Sequence, residues 1–238
     1  MLTNRMQTPC NHLGHYGNRL VRLTKDKKIW VPDGDDCHLY GANYERQGFN
    51  LAMGWVPVKQ VAVDAGAHVG IWSKRLANMF DHVVCFEPVS RQIECHRANC
   101  QSANIILHEV ALGATNEILP MKVTIGSNTG RSTFTTTRFN PERHEMWDIQ
   151  VKPLDDFNIT RIDFMKIDVE RHEDELMKGA LKTIERCRPV IYMEVFKPEK
   201  SHAINLLKDL GYEKKVVFAE NWILAPAEVN NNSRNLWE

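Results

Sequence analysis

The pattern of apolar and polar residues predicts short strands that alternate with amphipathic helices. Residues 61–63 form an apolar run rich in β-branched side chains, which is typical of a strand buried on both faces of a parallel sheet. After it, Trp72, Leu76, Met79 and Phe80 recur at helical spacing. Similar runs at residues 83–86, 105–110, 162–169 and 189–195 predict further strands, and residues 173–184 and 201–210 predict further helices.

This alternation predicts a doubly wound α/β sheet. Residues 20–24 and 28–31 predict a separate hairpin, residues 118–125 and 149–152 predict additional strands, and residues 215–218 and 222–225 predict a closing hairpin. We therefore divide the chain into an N-terminal appendage (1–57), one large domain (58–229) and a polar tail (230–238).

The first buried strand leads directly into a glycine-containing loop. The order Asp64-Ala65-Gly66-Ala67-His68-Val69-Gly70 gives Asp-x-Gly-x-x-x-Gly, with an acid at the strand end. A dinucleotide-binding loop has Gly-x-Gly-x-x-Gly instead. An acid at this point repels a pyrophosphate and favours a ligand that carries positive charge. The alternative is a plain strand-to-helix turn.

A second acid, Glu87, ends the next strand, about 20 residues after the loop. This is where the hydroxyls of a ribose are commonly held. Asp168 and Glu194 also fall at the carboxyl ends of predicted strands, the edge where ligands bind in open α/β sheets. Together, Asp64 and Glu87 predict a site for a charged nucleoside such as S-adenosylmethionine.

Composition and charge narrow the class of protein. The 238 residues are 43% hydrophobic and carry a formal net charge of zero, which argues against an electrostatic nucleic-acid partner. There is no membrane-spanning apolar run and no signal-peptide pattern, so we expect no membrane partner and a cytoplasmic location. The six cysteines form no Cys-x-x-Cys pair, and we expect reduced thiols.

Three features leave alternatives open. The loop at residues 126–133 is either functional or a surface connection. The aromatic residues of the appendage either cover the ligand cleft or form a small satellite core. Five cysteines and histidines of the appendage either bind a metal or pack on the surface and in the hairpin, and their spacing matches no standard zinc pattern; they are Cys10, His12, His15, Cys37 and His38.

The chain resembles the FkbM-type methyltransferases, a branch of the class I S-adenosylmethionine-dependent enzymes. The resemblance covers roughly residues 60–196, and its most specific segment is Lys166-Ile167-Asp168-Val169-Glu170. The other matching segments are the 64–70 loop, Phe86-Glu87-Pro88, Asn99, Ala111-Leu112-Gly113, Leu154-Asp155-Asp156, Lys178-Gly179-Ala180, Arg188-Pro189-Val190 and Glu194-Val195. Two positions depart from the family, which usually has Asn where His68 stands and Gly where Arg171 stands.

The resemblance implies a Rossmann-like class I methyltransferase fold with a mostly parallel seven-stranded sheet and helices on both faces. It implies methyl transfer to a hydroxyl of a carbohydrate or secondary metabolite, with a small-molecule or glycan acceptor. A carboxylate-bound Mg²⁺ is compatible with this chemistry, but no ligand set is recognisable, and the oligomeric state stays open, a homodimer included. The alternatives are a nicotinamide-dependent oxidoreductase and a catalytically inactive, methyltransferase-like binding protein.

The resemblance also implies roles for single residues. Gly66, Ala67, His68 and Gly70 contact the methionine part of the cofactor, and Asp64 fixes the loop amides or the cofactor ammonium. Glu87 and Pro88 hold the ribose, whereas Glu109 and Val110 lie beside the adenine. Asp168 faces the transferred methyl group, and the candidate general bases are Glu170 and His172.

Overall fold

The computed structural model describes residues 20–23, 29–32, 34–35, 44–135 and 138–230. The five cysteine and histidine positions of the appendage considered for metal binding, and all of the predicted tail except Asn230, lie outside these residues. The two strands of the N-terminal hairpin, β1 (Leu20–Leu23) and β2 (Trp30–Pro32), pair antiparallel.

The large domain is built on seven strands that form one sheet. In chain order they are β3 (Val61–Ala65), β4 (His82–Phe86), β5 (Ile105–His108), β9 (Phe164–Ile167), β10 (Val190–Glu194), β11 (Tyr212–Phe218) and β12 (Asn221–Pro226). Their spatial order is β11-β12-β10-β9-β3-β4-β5, and β12 runs antiparallel to both of its neighbours. Successive strands are added outward from β3 in opposite directions, first β4 and β5 on one side and then β9 and β10 on the other, as in doubly wound sheets. The prediction of a mostly parallel seven-stranded sheet is confirmed.

Helices cover both faces of this sheet because its strands are apolar on both sides. On one face, α1 (Arg46–Met53) and α2 (Ile71–Ala77) pack on alternate strand residues such as Ala62 and Phe164. On the other face, α4 (Glu173–Cys187) and α5 (His202–Asp209) pack on Val63 and Met165. The hairpin packs near α3 (Ser90–Asn99), in a cluster with Cys95.

A second, three-stranded sheet lies outside the predicted pattern. It consists of β6 (Ala111–Leu112), β7 (Glu117–Thr124) and β8 (His144–Lys152), in the order β6-β8-β7. The sequence predicted β7 and the end of β8 as single strands, but it gave no sign that they pair. The predicted strand 105–110 also ends earlier, at His108. Thr129, in the connection between β7 and β8, contacts His68 of the glycine loop and Gln92 of α3.

Gly179 shows how closely α4 approaches this region. A Cβ atom at Gly179 would lie 1.9 Å from the carbonyl oxygen of Gly113 and 3.1 Å from Cα of Pro153. Both neighbours are backbone atoms, which cannot rotate away. We expect Gly179→Ala to lower the free energy of unfolding by about 3 kcal/mol, at the upper end of overpacking costs, although helix propensity alone would stabilise it by about 1 kcal/mol.

Urea denaturation of the variant measures this difference. Glu185→Ala, at an exposed position of the same helix, is the matched control, and we expect a change within about 0.5 kcal/mol. A Gly179→Ala protein as stable as the wild type would show that α4 does not pack against Gly113 in this way.

Candidate functional site

An open cleft lies at the carboxyl ends of β3, β4 and β9. Its empty volume, about 1010 Å³, includes the solvent-filled space at its open mouth. The lining comes from the glycine loop, the ends of β4 and β9, the start of α3, Tyr44 and Glu45 before α1, and the loop between β7 and β8. The cleft lies at the edge of the sheet where ligands bind in open α/β folds.

The glycine loop requires backbone conformations that other residues rarely adopt. Gly66 has φ +77°, and a Cβ there would lie 1.8 Å from the carbonyl oxygen of Asp168. Gly70 has φ +88° and precedes α2, where a Cβ would lie 2.4 Å from Sγ of Cys100. The amides of Gly66 and Ala67 both donate to the carbonyl oxygen of Phe86. The loop is therefore fixed between β4 and β9 by close backbone contacts.

Glu87 is a buried carboxyl group in the wall of the cleft. Its Oε2 accepts the backbone N–H of His68 and its Oε1 that of Val89, both at 2.9 Å. Burial raises the pKa of Glu87 to about 7, although the two N–H groups oppose the shift. Each carboxylate oxygen can accept a further hydrogen bond from a ligand.

Lys166 supplies a buried positive charge beneath the loop. Its Nζ donates to the carbonyl oxygen of Gly66 at 3.0 Å and lies 3.2 Å from Oδ2 of Asp168 and 3.7 Å from Oδ1 of Asp64. Burial opposes the charge, but the carboxylates of Asp168 and Asp64 outweigh it and raise the pKa of Lys166. Asp64 is fully buried and also accepts a 2.6 Å hydrogen bond from Ser73 Oγ. The loop, β3 and β9 thus share one ion-paired centre.

The turn from β9 to α4 places two more titratable groups at the cleft. Glu170 and Arg171 both have positive φ, 51° and 73°, which is unusual for consecutive residues other than glycine. Burial, together with the nearby charges of Asp168 and Glu194, raises the pKa of Glu170 to about 8. Burial lowers the pKa of His172, whose ring lies 4.5 Å from that of Phe134. Of these two groups, Glu170 is the one whose pKa is raised toward neutral pH, whereas the pKa of His172 is lowered.

The sequence comparison identifies the family. Residues 64–214 match the family described as "Methyltransferase FkbM domain". The chain belongs to the FkbM methyltransferase family. The Rossmann-like class I methyltransferase fold predicted from the sequence is confirmed. No curated protein sequence matches the chain.

Solved structures of methyltransferases are similar at low identity. The FkbM methyltransferase of Methylobacillus flagellatus KT is 17% identical over 70% of this chain, with a TM-score of 0.45, and the matched part is 43% of that protein. A putative methyltransferase of Streptococcus mutans in complex with S-adenosylhomocysteine is 12% identical, with a TM-score of 0.48, over 75% of this chain and 94% of that one. The chain thus spans less than half the length of the first of these proteins.

The structure places the residues predicted from the sequence in three groups. Most of them line the cleft, whereas Asp64 and Gly70 support the loop from behind. Glu109 lies outside the cleft lining, where it is exposed and forms an ion pair with Arg97. Those that line the cleft are Gly66, Ala67, His68, Glu87, Pro88, Val110, Asp168, Glu170 and His172.

The cleft also contains residues that the sequence analysis did not single out. Glu45 accepts a 2.5 Å hydrogen bond from Nε1 of Trp72, and burial raises its pKa. Gln92 donates through Nε2 to the carbonyl oxygen of Thr129 at 3.2 Å, and its Oε1 is buried in the cleft wall with no hydrogen-bond partner among the described residues. Thr129 belongs to the 126–133 loop, so that loop is part of the cleft. Its polar glycine-rich sequence was the only signal.

Metal binding finds no support in this site. Within the described ranges, no group of three or more His, Cys, Asp or Glu side chains is arranged to hold a metal ion. The helices in the same ranges include none long and apolar enough to cross a membrane.

Lys166 generates a prediction about stability. Lys166→Met leaves Asp64 and Asp168 without their shared cation, and breaking a buried ion pair costs about 3–5 kcal/mol. The pKa of Asp64 is already raised by burial and should rise further in the variant. Such a carboxyl group destabilises the fold when ionised, so the deficit should shrink as the pH falls from 8 to 5.

Urea denaturation at both pH values tests this expectation. Lys178→Met is the matched control, because Lys178 is half-exposed and pairs only with Glu175 among the described residues. A deficit that is equal for the two variants would contradict the role of Lys166.

Proposed function

We propose that this chain is an S-adenosylmethionine-dependent methyltransferase that acts on a hydroxyl of a carbohydrate or secondary metabolite. The observation that carries the proposal is the position of Glu87. Its buried carboxyl group lines the cleft beside the glycine loop, at the carboxyl end of β4, and suits the two hydroxyls of a ribose. Pro88, Val89 and Val110 add apolar wall beside it.

The charges of the cleft also favour this cofactor. Four carboxyl groups line it, those of Glu45, Glu87, Asp168 and Glu170, whereas Lys166 is already paired with Asp168. A sulfonium with an ammonium group is attracted to such a surface, and a pyrophosphate is repelled. The unpartnered Oε1 of Gln92 likewise suits a ligand with N–H or O–H donors. These observations disfavour a nicotinamide-dependent oxidoreductase.

Each of the cleft residues would have a separate role in methyl transfer. When bound, S-adenosylmethionine supplies a methyl group activated by a positively charged sulfur. Glu87 would hold the ribose, and Asp168, held by Lys166, would face the reacting end of the cofactor. Glu170 would accept the proton that the acceptor hydroxyl loses, because its pKa of about 8 suits a base near neutral pH. The buried Nε2 of His172 has no partner among the described residues, and its lowered pKa makes it the weaker base.

Thermal stability with added ligand tests the cofactor. Ligand at about 100 times its dissociation constant stabilises a protein by roughly 2.7 kcal/mol, which should raise the melting temperature by roughly 5–10 °C at this size. We expect this shift with S-adenosylmethionine and S-adenosylhomocysteine and none with NADH. A shift with NADH alone would overturn the proposal.

Glu87→Gln tests the residue that carries the proposal. Loss of the ionised acceptor should weaken S-adenosylhomocysteine binding, measured by calorimetry, by roughly tenfold or more. This factor corresponds to the free energy of a hydrogen bond to a charged group. Glu109→Gln is the comparison, since Glu109 is exposed and outside the cleft, and we expect its affinity within about twofold of the wild type. The reverse ranking of the two variants would return the cofactor contact to Glu109.

Glu170→Gln tests the base. Deprotonated Glu170 is the active form, so turnover on a hydroxyl acceptor should rise with pH and level off by about pH 8, the ligand-free pKa, which a bound cationic cofactor lowers. In Glu170→Gln the turnover rate should fall by about 10²–10⁴-fold, and its rise with pH should disappear. In His172→Asn the rate should stay within about tenfold of the wild type, and the rise with pH should remain. Full turnover in Glu170→Gln, measured as S-adenosylhomocysteine formed, would exclude Glu170 as the base.

A further inference from the structure

Asp35 links the N-terminal appendage to the 126–133 loop, which lines one side of the cleft. It lies outside the matched residues 64–214 and is 2% exposed. Its Oδ2 accepts a 2.6 Å hydrogen bond from Oγ1 of Thr129, and its Oδ1 accepts the backbone N–H of Asn128 at 3.2 Å. Thr129 is equally buried. A buried carboxylate thus holds two consecutive residues of a loop that is more than 90 positions away in the sequence.

Thr129 is also hydrogen-bonded to two side chains that line the cleft, those of His68 and Gln92. Its Oγ1 lies 3.1 Å from Nε2 of His68, and its carbonyl oxygen accepts Nε2–H of Gln92 at 3.2 Å. Because a carbonyl oxygen can only accept, the Gln92 amide has one orientation, with Oε1 in the cleft wall. The backbone N–H of His68 in turn binds Glu87.

The order of donors fixes the proton on His68. A threonine hydroxyl has one hydrogen, and that of Thr129 points to the carboxylate of Asp35. The hydroxyl must then accept from Nε2 of His68, which therefore carries the hydrogen. Burial lowers the pKa of His68 to about 4, so its ring is neutral and only one of its nitrogens is protonated.

We propose that Asp35 is a positioning residue of the cofactor site, which acts through Thr129 to hold His68 as the Nε2–H tautomer and to orient Gln92. This inference rests on the proposed function, because its consequence is cofactor affinity. Through its hydrogen bond to Thr129, the carboxylate of Asp35 is connected to His68 and Gln92.

Asp35→Asn gives the sharpest test. The side chain keeps its shape, but an NH₂ group, which donates, replaces one carboxylate oxygen, which accepts. The oxygen of the new amide still accepts the N–H of Asn128, so its NH₂ group faces Oγ1 of Thr129. The Thr129 hydroxyl then has to donate to His68, and the proton of the ring moves to Nδ1. The opposite amide orientation sets NH₂ against the N–H of Asn128 and leaves that N–H unpaired.

Two measurements on the full chain report the outcome. Long-range ¹H–¹⁵N correlation of the ligand-free protein identifies the tautomer of His68, with its signal assigned from the spectrum of His68→Asn. Calorimetry gives the affinity for S-adenosylhomocysteine. For Asp35→Asn we expect the Nδ1–H tautomer and about fivefold weaker binding, the equivalent of one neutral hydrogen bond. Thr129→Val should weaken binding similarly, and Thr129→Ser, which keeps the hydroxyl, should restore both readouts.

Asp155→Asn is the matched control. Like Asp35, Asp155 accepts two hydrogen bonds, here from the backbone N–H groups of Lys182 and Thr183, but it lies outside the cleft lining. Equal weakening in Asp155→Asn would reduce the effect of Asp35 to general destabilisation and overturn the proposal. So would an unchanged tautomer in Asp35→Asn, or a changed tautomer with unchanged affinity. If the wild-type protein binds no S-adenosyl ligand, the proposed function fails, whereas an Nδ1–H tautomer in the ligand-free wild type overturns the relay itself.

Discussion

The cleft depends on one buried cation at the centre of the sheet. Lys166 neutralises Asp64, which is fully buried, and Asp168, and it also binds the carbonyl oxygen of Gly66. The ends of β3 and β9 therefore approach closely enough that Gly66 can have no side chain. Without the ammonium group, the same approach would bring two carboxylates together in a medium of low dielectric constant. The conformation of the glycine loop therefore depends on the positive charge of Lys166.

The remaining carboxyl groups of the region are not neutralised in this way. Burial raises the pKa of Glu87 and of Glu194 to about 7 and that of Glu170 to about 8, and the neighbouring acids add to each shift. A cationic ligand in the cleft would lower all three values, since it favours the ionised forms. The site is thus less charged when empty than when filled, and binding of a sulfonium cofactor would be coupled to release of protons.

The sequence predicted the parts of the site that local patterns specify. Apolar runs with acids at their ends located β3, β4 and β9 and the side chains of Asp64, Glu87 and Asp168. Prediction by position failed at Glu109: β5 ends at His108, and the next side chain pairs with Arg97 on the outside. The pairing of β7 with β8 and the contacts of Thr129 were beyond reach, because they join residues that no local periodicity relates.

Those non-local contacts explain why an appendage outside the matched residues matters to the site. Asn99 of α3 binds both the N–H and the carbonyl of Trp30 and also the carbonyl of Val69, so the hairpin is bonded to the glycine loop. Asp35 follows a few residues later and accepts hydrogen bonds from Asn128 and Thr129 of the 126–133 loop. The same order of acid, hydroxyl and imidazole recurs beneath the loop, where Ser73 joins Asp64 to His96. In both sets of three groups the acid accepts the hydroxyl hydrogen, so the hydroxyl oxygen accepts from the imidazole, and a buried acid fixes the protonated nitrogen of His68 and that of His96.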